Sequence, residues 1–300
     1  MFRRTLLSLP HLAGASAMAQ TDWRSSIKEI RFGITSAEND HDAVLRYENL
    51  AHYMQARLGV PMRIFRSTDY AGTVEALNSN HLEFAQMGPA AYALAVKVMA
   101  DRIAPIARSL DADGSEGYYS VVVVKTESPA QKIEDLKGKS FAFADPNSTS
   151  GYAFPSYFLK RQGFDPATFF SRTGFSGSHE LSVIAVLNGT YDAGATFWTN
   201  ERRGNVQRMT EKGMIKPGVV RIIWTSPLIP NSPWVARTEL PAALRKDFTD
   251  ALMAMPKADP EAWKTVSSEA AGLVPAKHQD YLDVIAVTTA LDAERKRKGS

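Results

Sequence analysis

The sequence predicts an α/β protein of two lobes, each a sheet flanked by helices, with a ligand cleft between them. Short apolar runs alternate with helical stretches over short connections, the pattern of doubly wound sheets. That alternation halts at a turn-rich break, Asp111-Ala-Asp-Gly-Ser-Glu-Gly117, and then starts again. A chain of 300 residues with 44% hydrophobic content suits two globular domains of ordinary size.

Residues 1–19 carry Arg3-Arg4, a mostly apolar stretch from Thr5 to Gly14, and the small-residue pattern Ala15-Ser-Ala-Met-Ala19. This reads as an export leader cleaved near Ala19, with twin arginines that leave the route open. Glu29 to Ile34 alternates as a strand, and Leu45, Leu50, Tyr53, Met54 and Leu58 recur at helical spacing before Gly59. Pro61 to Phe65 resumes a strand, Asp69 caps a helix over Ala71 to Asn78, and His81 to Met87 leads through a short strand to Gly88-Pro89.

Beyond the break, Tyr118 to Val124 is the continuous apolar run of a buried strand. A short helix over Pro129 to Leu136, a strand from Ser140 to Ala144, and a helix over Tyr152 to Gln162 follow. Next come a Gly/Ser turn at Phe175 to Glu180, a helix from Leu181 to Asn188, and strands at Asp192 to Trp198 and Val219 to Trp224. From Pro230 to Ala290 the chain is predicted helical and punctuated by proline. The expected organisation is a first lobe over 27–115, a second over 116–224, a return to the first over 225–290, and an exposed basic tail over 291–300.

With no cysteine there is neither a disulfide framework, a thiol nucleophile, a thiolate metal site nor a lipid-anchor residue. The formal charge of +3 is small and its cations are dispersed outside the tail, so nucleic acid is not an expected partner. No run beyond the leader is long and apolar enough to span a bilayer. The expected product is soluble, periplasmic and without a lipid anchor or cofactor.

The most informative stretch is Asp145-Pro-Asn-Ser-Thr-Ser-Gly151, which joins a strand to a helix. One hydroxyl at a helix start is an ordinary cap, but three in a row beside unpaired backbone N–H groups make an anion site. Ser148 with His179 also suggests a nucleophile and its base. Against an enzyme, there is no Gly-x-Ser-x-Gly elbow and no third triad member. No His-Glu-x-x-His pair or complete calcium loop indicates a metal.

The stretches Asp69-Tyr-Ala-Gly72, Asp113-Gly-Ser-Glu-Gly-Tyr-Tyr-Ser120, Asp145 to Gly151, Ser178-His-Glu180 and Trp224-Thr-Ser-Pro-Leu-Ile-Pro230 together resemble the phosphonate-binding proteins of ABC import systems. The resemblance covers roughly residues 28 to 255 and rests on the set of motifs in order. It implies a type II periplasmic-binding-protein fold, a phosphonate or related phosphorus oxyanion as ligand, an ABC permease as partner, and no catalysis. It further implies that Tyr70, Ser148, Thr149, Ser150 and His179 hold the phosphonate group, with Tyr118 beside them. Each has a plainer reading: Tyr70 as a packing aromatic, His179 as part of its own helix start, Tyr118 as part of the buried strand.

Three positions depart from the family. Where relatives that bind aminoethylphosphonate carry two acids for the ammonium, this chain has Thr199 and the turn Asn231-Ser232-Pro233, with Glu201 displaced by two residues. Met87 stands where the family carries a tyrosine. A buried ammonium without a carboxylate is strongly disfavoured. The expectation is therefore a ligand other than aminoethylphosphonate, with an apolar or uncharged far end against Met87, Phe197 and Trp198. Alternatives are a binding protein for phosphite, phosphate or another small anion, including a receptor for a signalling system.

Overall fold

The computed structural model describes residues 22–35, 40–267 and 270–299, so the leader over 1–19 lies outside the described residues. The first sheet begins with β1 (Ile30–Ile34), α1 (Asp40–Leu58), β2 (Met62–Arg66), α2 (Tyr70–Asn78), β3 (Phe84–Gln86), α3 (Pro89–Met99) and β4 (Ile103–Asp111). The second is built from β5 (Gly117–Lys125), β6 (Ser140–Phe143), a wide turn over Thr149–Ala153, α4 (Phe154–Arg161), α5 (Pro166–Phe169), β7 (Arg172–Phe175), α6 (His179–Leu187), β8 (Ala193–Asn200), β9 (Arg203–Gly204), α7 (Asn205–Glu211), β10 (Val220–Thr225) and β11 (Ile229–Pro230). The chain then returns through β12 (Pro233–Arg237), α8 (Ala242–Ala258), α9 (Pro260–Ser267), β13 (Ala270–Pro275) and α10 (Leu282–Gly299).

Strand order is β13-β4-β12-β3-β1-β2 in the first sheet and β10-β5-β8-β6-β7 in the second, with β11 on β5 and β9 on β8. β1 pairs in parallel with β2 and β3, as a strand–helix–strand chain requires. Helices cover both faces of the first sheet. On one, Phe32, Phe84, Trp234 and Phe248 pack with α1 and α8, and the Phe84 and Phe248 rings stack at 3.7 Å. On the other, Leu77, Tyr92, Val235 and Tyr281 join α2 and α3. Burying each such side chain contributes about 1.5–3 kcal/mol.

The predicted two-lobed fold is the one observed, and three regions differ from the sequence expectation. The segment from Pro230 to Ala290 is not wholly helical. β12 is a central strand buried at all five residues, and β13 forms the sheet edge. A five-residue strand starting at proline has too few residues for its period to show. The crossing back also falls later than 224, because β11 still belongs to the second sheet and the passage occurs at Asn231-Ser232.

Finally, residues 291–299 continue α10 as helix: Leu291 is buried, while Ala293 and Arg295 to Arg297 are exposed as expected. Val284, Val287 and Leu291 make one apolar helical stripe against Ala90, Ala153, Phe154 and Ile229. Glu294 bonds Lys160 at 2.6 Å, and Arg295 lies 4.8 Å over the Tyr152 ring. α10 thus touches α3 of one lobe and the wide turn of the other.

Candidate functional site

The two chain crossings form the floor of the cleft. Asn231 donates from its backbone to Glu116 O at 2.9 Å and from its side chain to Ser109 O at 3.0 Å. Tyr281 donates to Asn231 O at 3.0 Å. A cavity of about 170 Å³ opens above, and its wall includes Tyr70, Tyr118, Ser148, Thr149, Ser150, His179 and Ser232. Seven residues from five separate stretches therefore converge.

The Ser148 turn supplies the centre. Its hydroxyl accepts the Gly151 N–H at 3.0 Å, and the Ala153 N–H reaches back five residues to the Ser148 carbonyl at 3.0 Å, which makes the turn one coil of wide, π-type helix. Such insertions re-aim backbone at functional sites. Gly151 is required for this geometry. A Cβ there would lie 2.5 Å from Ala144 Cβ, 2.9 Å from Ser148 Oγ and 3.0 Å from His179 Cε1. Thr149 Oγ1 accepts the Ala90 N–H at the start of α3 at 2.8 Å, a bond between the lobes. Ser150 O accepts from Ser120 Oγ at 2.6 Å, and all three turn residues are buried.

His179 opens α6, whose cap is Ser178 Oγ accepting the Leu181 N–H at 3.1 Å. The ring lies 3.0 Å by Nε2 from Ser148 Oγ and 3.4 Å by Nδ1 from Thr196 Oγ1, with Phe197 edge-on at 5.2 Å. Burial, aided by the Arg208 guanidinium, pulls its pKa down to about 3. It is a neutral ring at physiological pH, one donor and one acceptor.

Tyr70 follows its cap Asp69, whose carboxylate accepts the Gly72 N–H at 2.8 Å. The Tyr70 hydroxyl bonds Ser148, and burial raises its pKa. Tyr118 bonds Thr149, Ser150 and Ser232, and burial pushes its pKa up to about 12. Both phenols therefore keep their protons. Asp145, beneath the turn, accepts the Asn147 N–H at 2.7 Å and the Tyr70 N–H, while burial raises its pKa.

Two expected wall residues are elsewhere. Met87 is fully buried in the core with Tyr70, Val74 and Leu77 and does not line the cleft. Side chains alternate along an extended chain, so Gln86 and Gly88 face the cavity and Met87 between them does not. By the same alternation Phe197 and Thr199 line it, and Trp198 turns to the opposite face against Tyr119 at 5.8 Å. Glu201 sits with Trp198 on that other face.

The wall expected to be apolar or uncharged also carries charged side chains. Arg46 of α1, Arg203 of β9 and Arg208 of α7 also line the cavity, with Gln86, Ser109 and Asn231. No carboxylate is among its described lining residues. These arginines were not legible as site residues, being scattered single cations. Gln86 was legible by counting back two from Gly88. Among the described residues no helix is long and apolar enough to cross a membrane, and no cluster of metal-ligating side chains occurs.

The sequence profile of the family described as periplasmic phosphonate substrate-binding proteins of ABC transporters matches residues 32–281. The phosphonates-binding periplasmic protein of Escherichia coli K12 is 32% identical over 230 residues, spanning 75% of this chain and just under two thirds, 66%, of that relative. A phosphate-import protein of Mycolicibacterium smegmatis is 29% identical over 281 residues, with 86% of this chain and 84% of the relative covered. The crystal structure of a binding component of an ABC phosphonate transporter from Pseudomonas aeruginosa superposes with a TM-score of 0.77 at 27% identity. It covers 86% of this chain and 85% of that one.

Proposed function

This chain belongs to the family of periplasmic phosphonate substrate-binding proteins of ABC transporters, and from that premise we propose how it holds its ligand. Its role is one of binding, without catalysis. The phosphonate group sits against the Ser148–Ser150 turn and accepts hydrogen bonds from the hydroxyls of Tyr70, Tyr118, Ser148, Thr149, Ser150 and Ser232, from His179, and from the turn's backbone N–H groups.

The observation that carries this reading is the convergence of so many neutral donors on one buried turn. A tetrahedral oxyanion offers several acceptor oxygens, and a helix start adds its partial positive charge. Ligand closes the lobes, and the closed form presents it to an ABC permease. The lobes already meet through the Ala90–Thr149 bond and the Arg203–Asp111 ion pair.

Aminoethylphosphonate is not the preferred ligand. Thr199, Asn231 and Ser232 occupy the wall where an ammonium would need acids, and three guanidinium groups share that wall. A second reading, inorganic phosphate, is favoured by the M. smegmatis relative.

Thermal unfolding of extensively dialysed protein against methylphosphonate, aminoethylphosphonate, phosphate and sulfate tests these readings, since a ligand at a hundred times its Kd stabilises by about 2.7 kcal/mol. A rise with methylphosphonate and none with aminoethylphosphonate is expected. A rise with phosphate alone would transfer the site to the second reading, and no rise with any phosphorus oxyanion would refute both.

A further inference from the structure

Beyond the phosphonate-head site the cleft continues into an adjoining cavity of about 300 Å³. The two share Arg46, Gln86, Ser109, Phe197, Arg203 and Arg208 and so lie side by side along one wall. The outer cavity is also lined by Trp234 and Ser267. Trp234 is 2% exposed and stands opposite Gln86 across the β12–β3 pairing. Its indole N–H has no hydrogen-bond partner among the described residues, and neither has the hydroxyl of Ser267, which is 8% exposed.

An indole N–H only donates, and a buried donor without an acceptor is costly. A group held in the cavity that Trp234 lines can supply that acceptor. The same wall carries guanidinium groups, whose planar forks match a carboxylate's paired oxygens. Glu211 is the carboxylate among the outer cavity's described lining residues, and the shared wall has none.

We propose that this cavity receives the far end of the substituent on phosphorus, and that the ligand class is phosphonates bearing a second anionic group, short phosphonocarboxylates above all. The proposal rests on the reading that the phosphonate head lies at the Ser148–Ser150 turn. Arg46 and Arg208 pair with the distal carboxylate, and the Trp234 N–H donates to it. The volume also exceeds what a methyl substituent occupies.

Calorimetric titration of the dialysed protein with methylphosphonate, phosphonoacetate and 3-phosphonopropionate provides the test. One of the phosphonocarboxylates is expected to bind at least about tenfold more tightly than methylphosphonate. In Arg46→Gln and, separately, Trp234→Phe, that ratio is expected to fall to about threefold or less. Because the readout is a ratio within one variant, a general loss of affinity does not imitate it, and either variant serves if the other fails to fold. Equal or tighter binding of methylphosphonate, or a ratio unchanged in both variants, overturns the proposal. Binding of none of the three would instead remove the head-group reading on which it stands.

Discussion

The two ends of the cleft present hydrogen-bond donors of different kinds. Around the Ser148 turn the donors are neutral, with the guanidinium groups confined to the wall shared with the outer cavity: phenols that keep their protons, a histidine whose pKa is pulled to about 3, and serine and threonine hydroxyls. At the outer end they are guanidinium groups with an indole and a glutamine. Neutral dipoles fixed in place are strongly directional and act over short range, so they select a shape. Full charges act over a longer distance and select a sign. On the proposed binding mode the inner end would choose a tetrahedral oxyanion, and the outer end would choose among the groups attached to it.

The comparison is broken most severely by damaging the inner geometry. Gly151→Ala forces a Cβ into Ala144, Ser148 and His179, and is expected to weaken methylphosphonate binding by about 3 kcal/mol, roughly a hundredfold, in calorimetry. Wild-type affinity would show that the turn does not hold the ligand. Tyr70→Phe and Ser150→Ala each remove one inner donor and should cost about 1–3 kcal/mol of binding while leaving the thermal midpoint nearly unchanged.

The neutrality of His179 is tested through stability. Its folded pKa of about 3 lies below the ordinary 6.5. As pH falls below 6.5 the unfolded chain gains a proton that the folded chain refuses, so stability is lost by roughly 1.4 kcal/mol per pH unit until the folded group also titrates. Asp145, raised by burial, acts in the opposite direction, so the contribution is isolated by comparing urea unfolding of wild type and His179→Gln. A shallower acid loss in the variant is expected, and parallel curves would mean that His179 titrates in the fold as it does in the unfolded chain. The smallest effect belongs to Met87→Leu. As a similar-volume change behind the wall, it should shift stability by less than about 1.5 kcal/mol and leave the affinity within twofold.

The same contrast explains what was readable in the sequence. The inner end is dominated by one contiguous motif, Asp145 to Gly151, and the helix starts at Asp69 and Ser178 announce themselves by their caps. Most strands were legible from apolar runs, while β12 and β13 were too short and proline-bounded to show a period. Met87 was misplaced by one residue, which in extended chain means the opposite face. The outer end offered no such signal. Arg46, Arg203, Arg208 and Trp234 lie far apart in the chain, and a lone arginine on an amphipathic helix looks like solvated surface until the fold gathers it.

The bond from the Ala90 N–H to Thr149 Oγ1 ties the start of α3 to the wide turn of the opposite lobe. A hydroxyl that accepts one hydrogen bond is polarised and donates the next more strongly. The donor here belongs to α3 of the opposite lobe, so on the proposed binding mode Thr149 would donate to an anion more strongly with the lobes shut than with them apart. On the proposed binding mode, capture and closure would then reinforce each other through that oxygen atom.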